Sequence, residues 1–205
     1  LSASRNGDAR AIEARANFKE LGWTDLDWSV GAWWRQVDDG FSISRFDNGT
    51  EIQERGVEVL GQFAPNVNVH ARYSRAERGA EALTQASVTG DWRISDHNSL
   101  AAEVRRVEEK RLAGEAAGVL GALQYKHRFG SAFDLYGTAQ LTLDDDGGKY
   151  ADNDALTVGG KYLFGDLSSV GAELTSGDRG DAAKIDAEYR ISPEHTVYGG
   201  YTYST

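Results

Sequence analysis

Residues 119–143 read VLGALQYKHRFGSAFDLYGTAQLTL, and this stretch decides the fold. On either side of a Gly130-Ser131 turn every second residue is apolar or glycine, except His127, from Val119 to Phe129 and again from Phe133 to Leu143. The intervening positions are largely polar: Lys126, Arg128, Asp134, Thr138, Gln140 and Thr142. A β-strand places residues i, i+2 and i+4 on one face. The stretch therefore predicts an antiparallel hairpin with one apolar and one polar face.

The same alternation recurs along the chain and predicts an all-β protein. Each predicted strand is about ten residues long and ends at a turn signal, so neighbours in sequence are expected to pair as antiparallel, up-and-down strands. Twelve strands are predicted, near residues 9–18, 25–36, 51–64, 66–75, 82–94, 99–108, 115–129, 132–143, 154–164, 168–176, 183–191 and 195–204. We interpret residues 1–205 as a single transmembrane β-barrel domain, or as a fragment of a larger barrel.

The alternative to a membrane barrel is a soluble β-sandwich or β-helix, in which the apolar face would be a core. A soluble core interdigitates large side chains at high density. Here the apolar positions are rich in small residues, such as Ala14, Ala16, Ala86 and Gly137, which face lipid at little cost. Aromatic residues gather at the strand ends instead, as in the aromatic belts at the two membrane interfaces. The sequence therefore favours the membrane barrel.

The connections differ in length along the chain. Short turns are predicted around Pro65, at 95–98, at 130–131, at 165–166 and around Pro193. Longer polar loops are predicted at residues 36–52, 76–81, 108–116, 144–154 and 177–182. Outer-membrane barrels have short periplasmic turns and longer extracellular loops.

The amino-acid composition limits the membrane segments, partners and bound groups that the chain is expected to have. The mean hydropathy is −0.52 and no run of eighteen apolar residues occurs, so no transmembrane helix is predicted. The chain has no cysteine, and its net charge of −10 argues against nucleic-acid binding. We expect no cofactor. Acidic loops could hold a hard cation such as Ca²⁺. Three consecutive carboxylates are the weak candidates for this role: Asp144, Asp145 and Asp146.

With this pattern the chain resembles the porin-like outer-membrane β-barrels of Gram-negative bacteria, through its architecture and over about residues 9 to 204. The resemblance implies a location in the bacterial outer membrane, with lipid and lipopolysaccharide as partners. Such barrels usually end on an aromatic residue, whereas this sequence ends Tyr203-Ser204-Thr205. We therefore expect that further segments of a longer polypeptide follow.

Charged residues at polar strand positions are the candidates for lining a pore. Basic and acidic residues there are close to balance, ten to nine, which predicts weak selectivity or ion-pair ladders between strands. The candidate pore residues are Arg15, Arg72, Arg105, Lys126, Arg128, Asp134, Lys161, Glu173, Asp186 and Glu188.

Two functions remain open from the sequence. One is a channel for small hydrophilic solutes, and the other is a structural membrane anchor, or the barrel part of a larger surface protein, with an occluded lumen. An enzyme is not expected, because no nucleophile motif or nucleotide-binding motif occurs. Among the four histidines only His70 falls at a polar strand position, with Ser74 two polar positions further along the strand.

Overall fold

A computed structural model describes residues 7–43, 46–47, 50–165 and 167–205. The described residues form fourteen strands. Their bounds are β1 Ala9–Asn17, β2 Trp28–Val37, β3 Ser42–Ile43, β4 Phe46–Asp47, β5 Ile52–Ala64, β6 Val67–Arg78, β7 Glu81–Arg93, β8 Asn98–Arg111, β9 Gly114–Phe129, β10 Phe133–Asp144, β11 Ala155–Phe164, β12 Ser168–Gly177, β13 Gly180–Ser192 and β14 His195–Ser204.

Twelve of these strands are hydrogen-bonded in chain order, as up-and-down topology requires. The order is β1-β2-β5-β6-β7-β8-β9-β10-β11-β12-β13-β14, and β3 with β4 forms a separate two-stranded hairpin between β2 and β5. The pairs resolved residue by residue are antiparallel, for example Ala14 with Ala32 and Val158 with Leu174. The prediction of twelve antiparallel up-and-down strands is confirmed.

Contacts divide the chain into two compact units. The first unit contains residues 1–90, 104–119 and 144–150, and the second contains residues 91–103, 120–143 and 151–205. In the first unit β2 pairs with β5 and β5 with β6, with one irregularity between Gln62 and Ala64. In the second unit β10 to β14 form an unbroken antiparallel series, with one irregularity between Arg190 and Ser192.

Three of the predicted long loops are instead tight hairpins, so the loop prediction was partly wrong. Only Gly79-Ala80, Leu112-Ala113 and Asp178-Arg179 separate the strands in the regions predicted as loops 76–81, 108–116 and 177–182. The charged residues there extend the strands because they pair along them. Arg106 contacts Glu108 at 2.8 Å, for instance. The two long polar connections at this end of the strands are residues 38–51 and 145–154.

The apolar side chains of the strands remain exposed. Val88, Leu123, Leu141 and Val158 are each 50 to 53% exposed. Within the described residues only Val37 and Val107 are buried hydrophobic side chains, and no large side chain is fully enclosed. A soluble sandwich of this size would cover such side chains in a packed core. No helix among the described residues is long and apolar enough to cross a membrane.

Candidate functional site: the polar face of the strands

The polar face of the first unit is organised around Glu58 on β5. This side chain is only 13% exposed, and its carboxylate accepts a hydrogen bond from Arg15 at 2.9 Å. Arg15 also contacts Glu13 at 3.0 Å, and His70 Nε2 lies 3.9 Å from the second oxygen of Glu58. Four charged or titratable groups from three strands therefore share one network.

A glycine makes this network possible. Arg15 on β1 is opposite Gly31 on β2, and Gly31 is opposite Glu58 on β5, so one strand, β2, separates the two members of the ion pair. A Cβ at position 31 would lie 3.3 Å from the Glu58 side chain. Because Gly31 has no side chain, Arg15 and Glu58 can reach each other across the intervening strand.

Trp33 and Arg72 form the second feature of the polar face of the first unit, which we call its wall. A Cβ at Gly56, the register partner of Trp33, would overlap the indole, so the ring lies flat against β5. The Arg72 guanidinium stands 4.8 Å from the ring centroid, which is within the range of a cation–π contact. Neighbouring Arg35 is neutralised by Glu54 at 2.8 Å. Arg72 has no carboxylate partner among the described residues, so its charge remains open to solvent.

The polar face of the second unit is organised around Asp134 at the start of β10. Its carboxylate accepts two hydrogen bonds from Arg128, at 2.6 and 2.9 Å, and contacts Lys126 at 2.7 Å. The Asp134 side chain is only 6% exposed, whereas both cations reach solvent. Bidentate arginine–carboxylate pairs are among the strongest hydrogen-bonded contacts in proteins. Asp134 therefore fixes β9 to β10 at the turn between them.

Tyr136 and Glu173 meet further along the same wall. The Tyr136 hydroxyl donates to Glu173 at 2.6 Å, although β11 lies between their strands. The residue between them is Gly159, paired with Tyr136 on one side and with Glu173 on the other. A Cβ at position 159 would overlap the Tyr136 ring. The arrangement repeats that of Arg15, Gly31 and Glu58 in the first unit.

The candidate pore residues fall into three groups by their contacts. Arg15, Lys126, Arg128, Asp134 and Glu173 belong to the networks just described. Asp186 is 3.8 Å from Lys184, a loose contact, and Arg72 lies against the Trp33 ring. The remaining candidates, Arg105, Lys161 and Glu188, stand at polar positions of β8, β11 and β13. Their role in lining a pore stays a prediction.

Sequence reasoning missed two aromatic residues on this face, Trp33 and Tyr136. Both were overlooked because aromatic residues were interpreted as belonging to the aromatic belts at the membrane interfaces. A signal existed for Trp33: consecutive residues of a strand point to opposite faces, so Trp33 and Trp34 cannot both meet lipid. For Tyr136 the signal was its even position between Asp134 and Thr138.

The loop between β10 and β11 contacts the polar face of the first unit. A Cβ at Gly118, at a polar position of β9, would lie 2.5 Å from the Tyr150 ring. Within the loop the Asp146 amide donates to Asp144, and Lys149 pairs with Asp146 at 3.3 Å. No group of three His, Asp or Glu side chains able to hold a metal occurs in the part of the chain that the structure describes.

The surroundings of His70 and His195 differ. His70 Nε2 is buried and has no hydrogen-bond partner among the described residues. Ser192, the last residue of β13, contacts His195, the first residue of β14, at 3.0 Å across the turn between them, and the Ser192 hydroxyl also donates to Glu194. That geometry caps the turn.

Comparison with known proteins gives the fold a family context. No family model and no curated protein matches the sequence. The structure is similar to that of a triple mutant of the Rhodopseudomonas blastica porin, with 14% sequence identity and a TM-score of 0.55. The match covers 95% of this chain and 83% of the porin chain. Another mutant of that porin gives 13% identity, coverage of 96% and 84%, and a TM-score of 0.57. The KdgM porin is more distant, with 12% identity, coverage of 97% and 93%, and a TM-score of 0.45. The chain has the all-β, antiparallel, up-and-down fold of the porins.

Proposed function

We propose that this chain forms a water-filled channel in the outer membrane of a Gram-negative bacterium, through which small hydrophilic solutes diffuse passively. The observation that supports this proposal is that the two faces of the strands differ. Apolar side chains are exposed along one face, and networks of ionised side chains occupy the other. In a porin-type fold the apolar face meets lipid and the polar face lines the bore. Solutes are then the partners of the lumen, and lipid is the partner of the outer surface.

The proposed channel is weakly selective because most charges on its wall neutralise each other. Glu58 is paired with Arg15, and Asp134 with Arg128 and Lys126. A pore selective for one sign of ion has a biased ring of charge at its constriction. The open charge of Arg72 gives the first unit a slight preference for anions. We propose no catalytic role for any of these groups.

Planar lipid bilayers test the proposal directly. The refolded chain should produce stable ohmic conductance steps, since an open aqueous bore conducts without voltage-dependent gating. Thr138→Trp adds bulk on the polar face of β10 and should lower the step size, whereas Val158→Trp adds the same bulk on the apolar face of β11 and should leave it unchanged. Silence from folded protein, or equal effects of the two variants, would contradict the channel.

A structural anchor with an occluded lumen is the second candidate, and the Tyr150 contact favours it. Tyr150 reaches from the 145–154 loop onto the polar face at Gly118, so that loop narrows the space beside β9. In this case Tyr150→Gly, which removes the ring, should convert a silent protein into a conducting one. A conducting parent protein whose steps grow only slightly in Tyr150→Gly would support the channel instead.

A further inference from the structure

Two arginines face each other on the apolar side of the first unit. Arg55 on β5 is the direct register partner of Arg75 on β6, and Trp34 on β2 is the partner of Arg55. Arg55 shares the face of Val57, which is 39% exposed. The next row toward the middle of the strands is entirely apolar and consists of Ala14, Ala32, Val57 and Tyr73. The arginine pair thus lies at the border of the apolar band, at the strand ends joined by residues 38–51.

Such a pair is unfavourable without a counter-charge. Directly opposed residues on one face have Cβ atoms about 4.5 to 5.5 Å apart, and like charges there destabilise the sheet. One carboxylate serves the pair: Glu77 lies 2.5 Å from Arg75 Nε. Arg55 is exposed and has no carboxylate partner among the described residues. The row therefore carries an uncompensated positive charge.

The neighbouring acidic groups do not supply the missing charge. A recess of about 340 Å³ next to Arg75 is lined by several carboxylates, but each has its own cation. Glu108 is paired with Arg106 at 2.8 Å and Glu115 with Lys110 at 3.5 Å. Asp146 is paired with Lys149, and Glu109 with Arg111. Among the described residues around this pair, Arg55 therefore remains a charge without an opposite partner.

We infer that Arg55 and Arg75 bind a phosphate group of lipopolysaccharide. The inference rests on the proposed placement in the outer membrane. The pair lies at the strand ends that carry the long polar connections 38–51 and 145–154, which face outward in outer-membrane barrels. At that height the surface meets lipid headgroups, and Trp34 beside Arg55 is the amphipathic ring typical of that zone. Two guanidinium groups offer parallel donors that match phosphate geometry.

The first test is thermal unfolding of the full chain in a zwitterionic, lipopolysaccharide-free detergent. Arg55→Gln removes the repulsion and should raise the melting temperature by about 1 to 3 °C. Added lipopolysaccharide should reverse the order, because only the parent protein retains both guanidinium groups. Arg10→Gln is the matched control. Arg10 lies one row closer to the 38–51 connection on the same face and is already paired with Asp8 at 3.1 Å. Its removal should therefore not reverse the order of melting temperatures when lipopolysaccharide is added.

The second test counts bound lipid by native mass spectrometry. Arg55→Gln/Arg75→Gln should bind lipopolysaccharide about tenfold more weakly than the parent protein, Arg10→Gln within twofold of it, and dephosphorylated lipopolysaccharide should bind all three equally weakly. Equal binding by parent and double variant, equal binding of the dephosphorylated lipid to the parent, or inhibition by millimolar inorganic phosphate as strong as by lipid would overturn the inference. Conductance of the same variants separates this outcome from failure of the channel, since loss of lipid binding with normal conductance overturns the lipid site alone.

Discussion

The polar faces of the two units use ionised residues in different ways. In the second unit Asp134 is nearly buried beneath two cations, and Tyr136 is locked to Glu173 across a glycine. In the first unit Glu58 pairs closely with Arg15, His70 lies further away, and Arg72 lies against the Trp33 ring. Charge on the polar face of the second unit thus holds strands together, while part of the charge on that of the first unit, at Arg72, has no carboxylate partner among the described residues.

The difference follows from the side chains that lie opposite Gly159 in the second unit and Gly56 in the first. Gly159 is flanked by an aromatic hydroxyl and a carboxylate, which form one short hydrogen bond. Gly56 is covered by an indole, which offers a π face and no acceptor for the guanidinium above it. An arginine on an indole keeps its N–H donors free at the edges. An aromatic ring over a glycine is therefore part of a structural hydrogen bond at Gly159 and of an open cation site at Gly56.

The comparison depends on the assignment of faces, and the largest expected effect tests it. Leu141→Arg places a charge on the apolar face of β10 and should cost about 2 to 4 kcal/mol if that residue lies near the bilayer midplane. Thr138→Arg on the polar face of the same strand should cost much less. Urea titrations of both variants refolded into lipid vesicles measure the difference. Equal losses would show that neither face meets lipid.

The two carboxylate networks should differ in their contribution to stability. Asp134→Asn leaves Lys126 and Arg128 without a counter-charge and should lower the free energy of unfolding by about 2 to 3 kcal/mol, below the full value for a buried pair because both cations reach solvent. Glu58→Gln should cost about 1 kcal/mol, since its amide oxygen can still accept from Arg15. Urea unfolding in lipid vesicles gives both values. A larger loss for Glu58→Gln would reverse the comparison.

The glycines of the two walls should also respond unequally. Gly159→Ala places a methyl group within the Tyr136 ring and should cost about 1 to 3 kcal/mol, as overpacking does elsewhere. Gly31→Ala meets the Glu58 side chain at 3.3 Å, so a small shift accommodates it and the loss should stay below about 1 kcal/mol. The same unfolding measurement compares them. Similar losses would indicate that Tyr136 moves aside freely.

Alternation was sufficient to predict the strands and their faces, because one residue step reverses the direction of a side chain. It placed Val158 and Leu141 on the apolar face and Asp134 on the polar one. It could not predict the contacts, since Arg15 meets Glu58 only through the register of three strands with Gly31 between them. The tight turn at Gly79 was also missed. Charged residues on either side of it were interpreted as a loop, although pairs such as Arg75 and Glu77 stabilise an extended strand.

The smallest effect on stability should come from Arg72, together with a distinct effect on conduction. Arg72→Gln removes a cation–π contact worth about 0.5 to 1 kcal/mol at an exposed site. It also removes the open positive charge of the first wall. The reversal potential in a KCl gradient should therefore shift toward cation preference, because that face loses one positive charge. Arg15→Gln is the control: it frees Glu58 and should also favour cations, but with a larger loss of stability. If Arg72→Gln leaves the reversal potential unchanged while Arg15→Gln shifts it, Arg72 does not face the conducting path and the two walls are equally committed to structure.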